Sequence, residues 1–225
     1  MRFSVALLSL LAACSLSFGQ GIKYEKVMIL GNSITHHGPS KAVDWAGNWG
    51  MAASSIDKDF AHLLKDKFTE ANDGKAPEML IRNVSTFERN HATMDIAKDW
   101  KPFIDFKPTV LILAIGENVP NPQTPEAQEA FLKALKTVLD LFKENGNPKL
   151  FVRSSFWPHQ VKDKIMQEAC DYYGGTFVNI GALAKDKKNY ARSEREYKHA
   201  GVAGHPGDHG MAEIARLIWE AVEEN

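Results

Sequence analysis

The chain is poor in cysteine, carries no excess charge of either sign, and has one long apolar run, close to its N-terminus. Cys14 and Cys170 are its two cysteines, which excludes a disulfide framework. Lys and Arg total 27 against 28 Asp and Glu, a formal charge of −1. No basic field is therefore present to track nucleic-acid phosphates or an anionic membrane face. The eight histidines show no zinc-finger spacing, and there is no internal repeat or low-complexity tract. What remains is an ordinary globular composition, 44% hydrophobic and 24% charged over 225 residues. That length is common for a single α/β domain.

The apolar run, Phe3 to Ala13 behind Arg2, has the length of a secretory leader and is too short to span a membrane. Two exits are written after it. Leu11-Ala12-Ala13-Cys14 has the form of a bacterial lipobox, which would make a lipidated Cys14 the mature N-terminus. Ser17-Phe18-Gly19 before Gln20 suits ordinary signal peptidase. The segment 1–19 is expected to be a signal peptide and 20–225 one domain, exported to the periplasm, the exterior or a lipid anchor. Cleavage at Gln20 would leave Cys170 alone, with no partner for an internal disulfide.

Strand and helix patterns alternate through the rest. Continuously apolar runs ended by turn residues cover Lys26–Gly31, Met79–Ser85, Thr109–Gly116, Lys149–Ser155 and Thr176–Gly181, as in strands covered on both faces. A helix is predicted from Thr124-Pro125, a cap followed by proline at the first helical position, to Asn145-Gly146. Another carries Met211, Ile214, Ala215, Ile218, Ala221 and Val222 on one stripe. The order predicts a three-layer α/β/α fold with a five-stranded parallel sheet. Thr35 to Asp57 is a long stretch rich in Gly, Ser and Trp, and loops of that length are usually functional or disordered.

In an open α/β sheet, ligands bind outside the carboxyl ends of the strands. Three chemistry-bearing residues fall there. Ser33 follows the first strand in Gly31-Asn32-Ser33-Ile34-Thr35, Asn118 follows the third in Gly116-Glu117-Asn118, and His205 stands before the last helix in His205-Pro206-Gly207-Asp208-His209-Gly210. Each alone has a structural reading as a turn serine, a turn former or a packed histidine. Together, at strand ends and in that order, they point to nucleophilic catalysis.

These blocks resemble those of the SGNH/GDSL hydrolases, over residues 26 to about 218. Asn32 stands where Asp is more usual in that family, and Val119 replaces a common Asp. The resemblance implies a flavodoxin-like fold and ester hydrolysis, with Ser33 as nucleophile, His205 as base and Asn118 in the oxyanion hole. It looks closest to secreted bacterial members acting on acylated carbohydrate. Two positions depart further from the pattern. Ser85 lies nearest the place of a glycine whose N–H helps hold the oxyanion, and any residue but proline can donate that N–H. Val202 lies three residues before His205, where the family has its catalytic Asp. Either another carboxylate orients His205, or a Ser-His dyad leans on a backbone carbonyl. Asp208 is near in sequence, but at a helix start it can simply stabilise the dipole.

The chemistry then needs no metal and no organic cofactor. His205 would take the Ser33 proton and return it to the leaving alkoxide. The Ser33 N–H, the N–H near Ser85 and the Asn118 side chain would hold the oxyanion, each donor contributing ~3 kcal/mol. Trp45, Trp49 and Trp157 are expected to form a sugar-stacking rim. His36 and His37, or His205 and His209, form too weak a pattern for a metal site. The expected partner is a small-molecule or polysaccharide acyl ester, with no nucleic acid and no membrane span. The other readings of the same residues are a hydrolase of lipid esters or thioesters, and a binding protein whose activity has decayed.

Overall fold

The structure, a computed structural model, describes residues 23–225; the leader segment and Cys14 lie outside the described residues. Five strands, β1 (Lys26–Gly31), β2 (Glu78–Asn83), β3 (Val110–Ala114), β4 (Lys149–Arg153) and β5 (Thr176–Val178), form one parallel sheet in the order β2-β1-β3-β4-β5. This is the flavodoxin-like order. The helices are α1 (Phe60–Ala71), α2 (Ser85–Asn90), α3 (Ile96–Asp99), α4 (Lys101–Asp105), α5 (Pro125–Glu144), α6 (Gln160–Tyr173), α7 (Ala200–Ala203) and α8 (Asp208–Glu223).

Side chains alternate across a strand, and β1 shows why its run is apolar throughout. Met28 and Leu30 join a core with Phe87, Trp100, Phe131, Val138 and Met166, beneath α2 to α6. Val27 and Ile29 join a second core on the opposite face, with Phe60, Phe68, Ile214 and Trp219 from α1 and α8. The three layers follow directly. The predicted cap of α5 is present, with Thr124 Oγ1 accepting from the Ala127 N–H at 3.2 Å.

Four strands, β2 to β5, end sooner than the apolar runs predict, and at two of them, β2 and β5, an asparagine makes the turn. Asn83 Oδ1 accepts from the Ser85 N–H at 2.9 Å, and Asn179 Oδ1 accepts from the Gly181 N–H at 3.0 Å. Such side-chain turns divert the backbone from the ladder. The stretch from Thr35 to Asp57 is a folded loop. Bridges pair His37 with Trp49 and Ser40 with Trp45, and the two indoles pack edge to face at 5.6 Å. The chain steps from β1 outward to β2 and then back across to β3, so the switch in strand order lies between β1 and β3, where a crevice forms. Ser33 and Asn118 leave those two strands.

Candidate active site

Ser33 sits in the turn that follows β1, where the Asn32 carbonyl accepts from the N–H groups of Thr35 and His36 at 3.0 and 2.9 Å. The Ser33 carbonyl accepts from the Met51 N–H at 2.8 Å, fastening the long loop behind it. Ser33 Oγ lies 2.8 Å from His205 Nε2. His205 Nδ1 lies 2.7 Å from the Gly201 carbonyl, one of the acceptors that the end of α7 leaves only partly used. Because a carbonyl can only accept, Nδ1 carries the proton and Nε2 is the free base facing the hydroxyl. Burial lowers the His205 pKa, outweighing the Gly201 carbonyl and the Glu117 charge, which raise it. The imidazole is therefore neutral at neutral pH.

Among the described residues no carboxylate bonds the His205 ring, whose partners are Ser33 and the Gly201 carbonyl. Val202 is buried with Met51, Ala52 and Ala191 and has no acceptor to offer the imidazole. Asp208 instead accepts from the Ser54 N–H and Oγ at 2.7 and 2.6 Å and from Arg195 at 3.0 Å. Partial burial opposes its ionisation, but the bonds from Ser54 and Arg195 prevail and hold its carboxyl below the ordinary range. Glu194 takes the Asp208 and His209 N–H groups, each at 2.8 Å, at the start of α8. Asp208 ties the long loop to α8, Glu194 ties its own segment to the start of the same helix, and neither bonds the imidazole.

On the other side of Ser33 lies a buried polar cluster. Glu88 Oε1 accepts from the Gly116 N–H at 2.7 Å and the Asn118 N–H at 3.2 Å, and Oε2 from Asn118 Nδ2 at 3.0 Å. Burial and then the neighbouring Glu117 charge raise the Glu88 pKa, against the pull of these donors. Glu117 pairs with the fully buried Arg153 at 2.7 Å. Asn32, itself without solvent exposure, donates its amide to Glu117 at 2.5 Å and to Glu88 at 3.3 Å. Between two carboxylates a donor is needed, which is the physical reason for Asn at position 32. Gly116 adopts a φ of +119°, and a Cβ there would strike Ser155 and Met166; glycine alone allows this approach.

A cavity of about 300 Å³ is lined by Ser33, His37, Asn83, Ser85, Arg89, Asn118, His199, Gly201, Val202 and His205 among others. It brings Ser33, Ser85, Asn118 and His205 together. The Ser85 N–H is already taken by Asn83, so the oxyanion donor expected from that backbone group is occupied. Of the three tryptophans, Trp157 is 37% exposed and meets the His205 ring edge to face at 5.5 Å. None of the three lines this cavity; the Trp45 and Trp49 indole N–H groups serve the His37 and Ala53 carbonyls at 3.0 and 2.9 Å. His37 Nδ1 donates to the Gly38 carbonyl at 2.6 Å, and no group of three or more His, Cys, Asp or Glu able to hold a metal occurs among the described residues. Sequence reasoning missed Glu88, Arg89 and Arg153. Arg89 donates to Ser85 Oγ and to Asn118 Oδ1, both at 2.9 Å.

No family model matches the sequence, and no curated protein matches it. Solved structures do match. A two-domain esterase active on acetylated mannans aligns with a TM-score of 0.61 at 13% identity, over 89% of this chain and 48% of that one. The chain thus spans about half the length of that esterase. A GDSL-like lipase from Bacteroides uniformis aligns with a TM-score of 0.59 at 15% identity, over 90% and 97% of the two chains. An acetyl xylan esterase aligns with a TM-score of 0.57 at 16% identity, over 88% and 99%. At these identities the likeness is one of fold: the chain has the α/β/α fold of the SGNH/GDSL hydrolases.

Proposed function

We propose that the protein is a serine esterase that removes O-acyl groups, O-acetyl above all, from carbohydrate. The observation that carries this reading is the chain of contacts from Ser33 Oγ to His205 Nε2 at 2.8 Å and from Nδ1 to the Gly201 carbonyl at 2.7 Å. A serine hydroxyl is a weak nucleophile until a base accepts its proton. Neutral His205 accepts it at Nε2 as Ser33 Oγ attacks the ester carbonyl. The tetrahedral oxyanion forms beside the Ser33 N–H and the second amide hydrogen of Asn118. His205 then returns the proton to the leaving sugar hydroxyl, and an acyl-Ser33 remains. Water, deprotonated by His205, repeats the sequence and frees the acid. Gly201 serves as the acceptor that fixes the imidazole tautomer, and the protein works as a dyad.

The small cavity supports a short acyl group over a long one, and the partly exposed Trp157, beside His205 but outside the cavity lining, offers a sugar-stacking surface. The mannan and xylan esterases that share the fold favour the same class of substrate. Export completes the reading: the leader suits a protein that meets polysaccharide outside the cell, and mass spectrometry of the native protein should find an N-terminus at Gln20 or a lipidated Cys14. The functional test is direct. Ser33→Ala should fold normally and keep less than ~1% of the activity on an aryl acetate, and acetylated xylan and mannan should be deacetylated faster than long-chain esters. Full activity in Ser33→Ala, or no reaction of folded protein with a fluorophosphonate, defeats the proposal.

A further inference from the structure

Arg89 is the one strong cation lining the cavity, and it makes no ion pair with a carboxylate among the described residues. Both of its terminal nitrogens are committed instead to neutral side chains. One donates to Ser85 Oγ and the other to Asn118 Oδ1, each at 2.9 Å. Guanidinium has five donors and no acceptor. The Ser85 hydroxyl can therefore only accept from Arg89, and its own hydrogen must point elsewhere. Among the described residues it finds no acceptor, while the Ser85 N–H is already bound to Asn83. The Asn118 amide is pinned in the same way. Its oxygen faces a donor that cannot accept, and its nitrogen faces Glu88 at 3.0 Å. A flipped amide would set hydrogen against hydrogen at Arg89 and oxygen against oxygen at Glu88. One amide hydrogen goes to Glu88, and the second is left over at the cavity.

We propose that Arg89 is a positioning residue that builds the oxyanion side of the site, presenting the Ser85 O–H and the second Asn118 N–H as its donors. The Ser85 hydroxyl thereby stands in for the backbone N–H that Asn83 has occupied. A cation on the acceptor atom of each group also polarises the hydrogen it donates, since hydrogen bonds in a chain strengthen one another. Arg89 itself touches no reacting atom. This inference rests on the serine-esterase reading.

Steady-state kinetics on a neutral aryl acetate test it, with Arg89→Gln, Arg89→Lys, Ser85→Ala, the double variant Arg89→Gln/Ser85→Ala, and Ser33→Ala as control. Removing a direct oxyanion donor costs about 10²–10³ in kcat, so a residue acting through the donors should cost less. Arg89→Gln is expected to lower kcat by about 10–100-fold with KM changed by less than about twofold, and Arg89→Lys to fall between it and the parent. The double variant should be scarcely slower than the worse single variant, as expected for groups acting as one unit. The acid limb of the pH profile, which reports His205, should stay in place. Unchanged kcat in Arg89→Gln overturns the inference, as does a loss that appears wholly in KM. If the parent enzyme is inactive, or Ser33→Ala retains activity, the esterase reading falls and takes the inference with it. If the parent depends on Ser33 while Arg89→Gln is fully active, the inference alone falls.

Discussion

Glu88 and Glu117 on one side of Ser33, and Glu194 and Asp208 on the other, are two acidic pairs of the same chemistry placed in different solvents. The first pair is nearly cut off from water, Glu88 wholly and the Glu117 side chain almost so, and shares Asn32 between its members, with Arg153 buried against Glu117. The second is half-exposed, held by Arg195, Ser54 and the N–H groups of α8. A buried charge must have every lone pair answered, so the first pair dictates the position of each donor around it, Asn118 included. A half-exposed charge is screened and tolerates loss of a partner, so the second pair fastens a loop to a helix and dictates little else. Proximity in sequence to His205 makes Asp208 one candidate for its orienting acid, with a role at the helix start as the other; the geometry gives that place to the Gly201 carbonyl.

Breaking the buried pair should have the largest consequence. Asn32→Asp, which restores the residue more usual in the hydrolases this chain resembles, would set a third carboxylate against two others. A loss of about 3–5 kcal/mol is expected, the scale for an uncompensated buried charge, measured by urea unfolding. A variant as stable as the parent would mean that the cluster carries a proton or cation that restores balance. Next comes Glu88→Gln, which replaces an acceptor facing Asn118 Nδ2 with a donor. It should cost about 1–3 kcal/mol and lower kcat more than it changes KM.

The half-exposed pair should respond weakly. Asp208→Asn keeps shape and loses charge, and should cost no more than about 1 kcal/mol with kcat within about tenfold of the parent. A fall near 10⁴, the scale known for loss of a triad acid, would make Asp208 the third catalytic member after all. The smallest effect is a displacement along the pH axis. A base lowered by burial is still neutral at mildly acidic pH, so kcat/KM should reach half its plateau below pH 6.5, the ordinary value for histidine. A limb at or above pH 7 would instead mean that a carboxylate dominates the imidazole.

The sheet was legible because its three inner strands, β1, β3 and β4, are covered on both faces, and short continuous apolar runs such as Val27–Leu30 bounded by turn residues read as buried strands. Strand ends were less so: Met79–Ser85 reads as one run, yet Asn83 stops it with its own side chain. Ser33, Asn118 and His205 were legible because their neighbours in sequence are themselves turn formers. Glu88 was hidden for a physical reason. Ser85-Thr86-Phe87-Glu88 has the spacing of a helix capping box, a local explanation that absorbs both polar residues. The structure instead sends Glu88 across to Gly116 and Asn118, contacts 28 and 30 residues away. Arg89, beside it, looks like any exposed helix cation. Its partners Ser85 and Asn118 are brought together only by the neighbouring placement of β1, β2 and β3.

The acceptor opposite His205 Nδ1 belongs to the main chain, and that changes which alterations in the gene can harm the proposed dyad. An aspartate in that place could be erased by one codon. The Gly201 carbonyl is written by every codon, so it can be moved but never removed. Vulnerability therefore passes to whatever holds α7 still, including Val202 in its apolar nest with Met51, Ala52 and Ala191. A mutational scan for a missing acid would come back empty, while mild changes in a hydrophobic contact would dim activity by degrees.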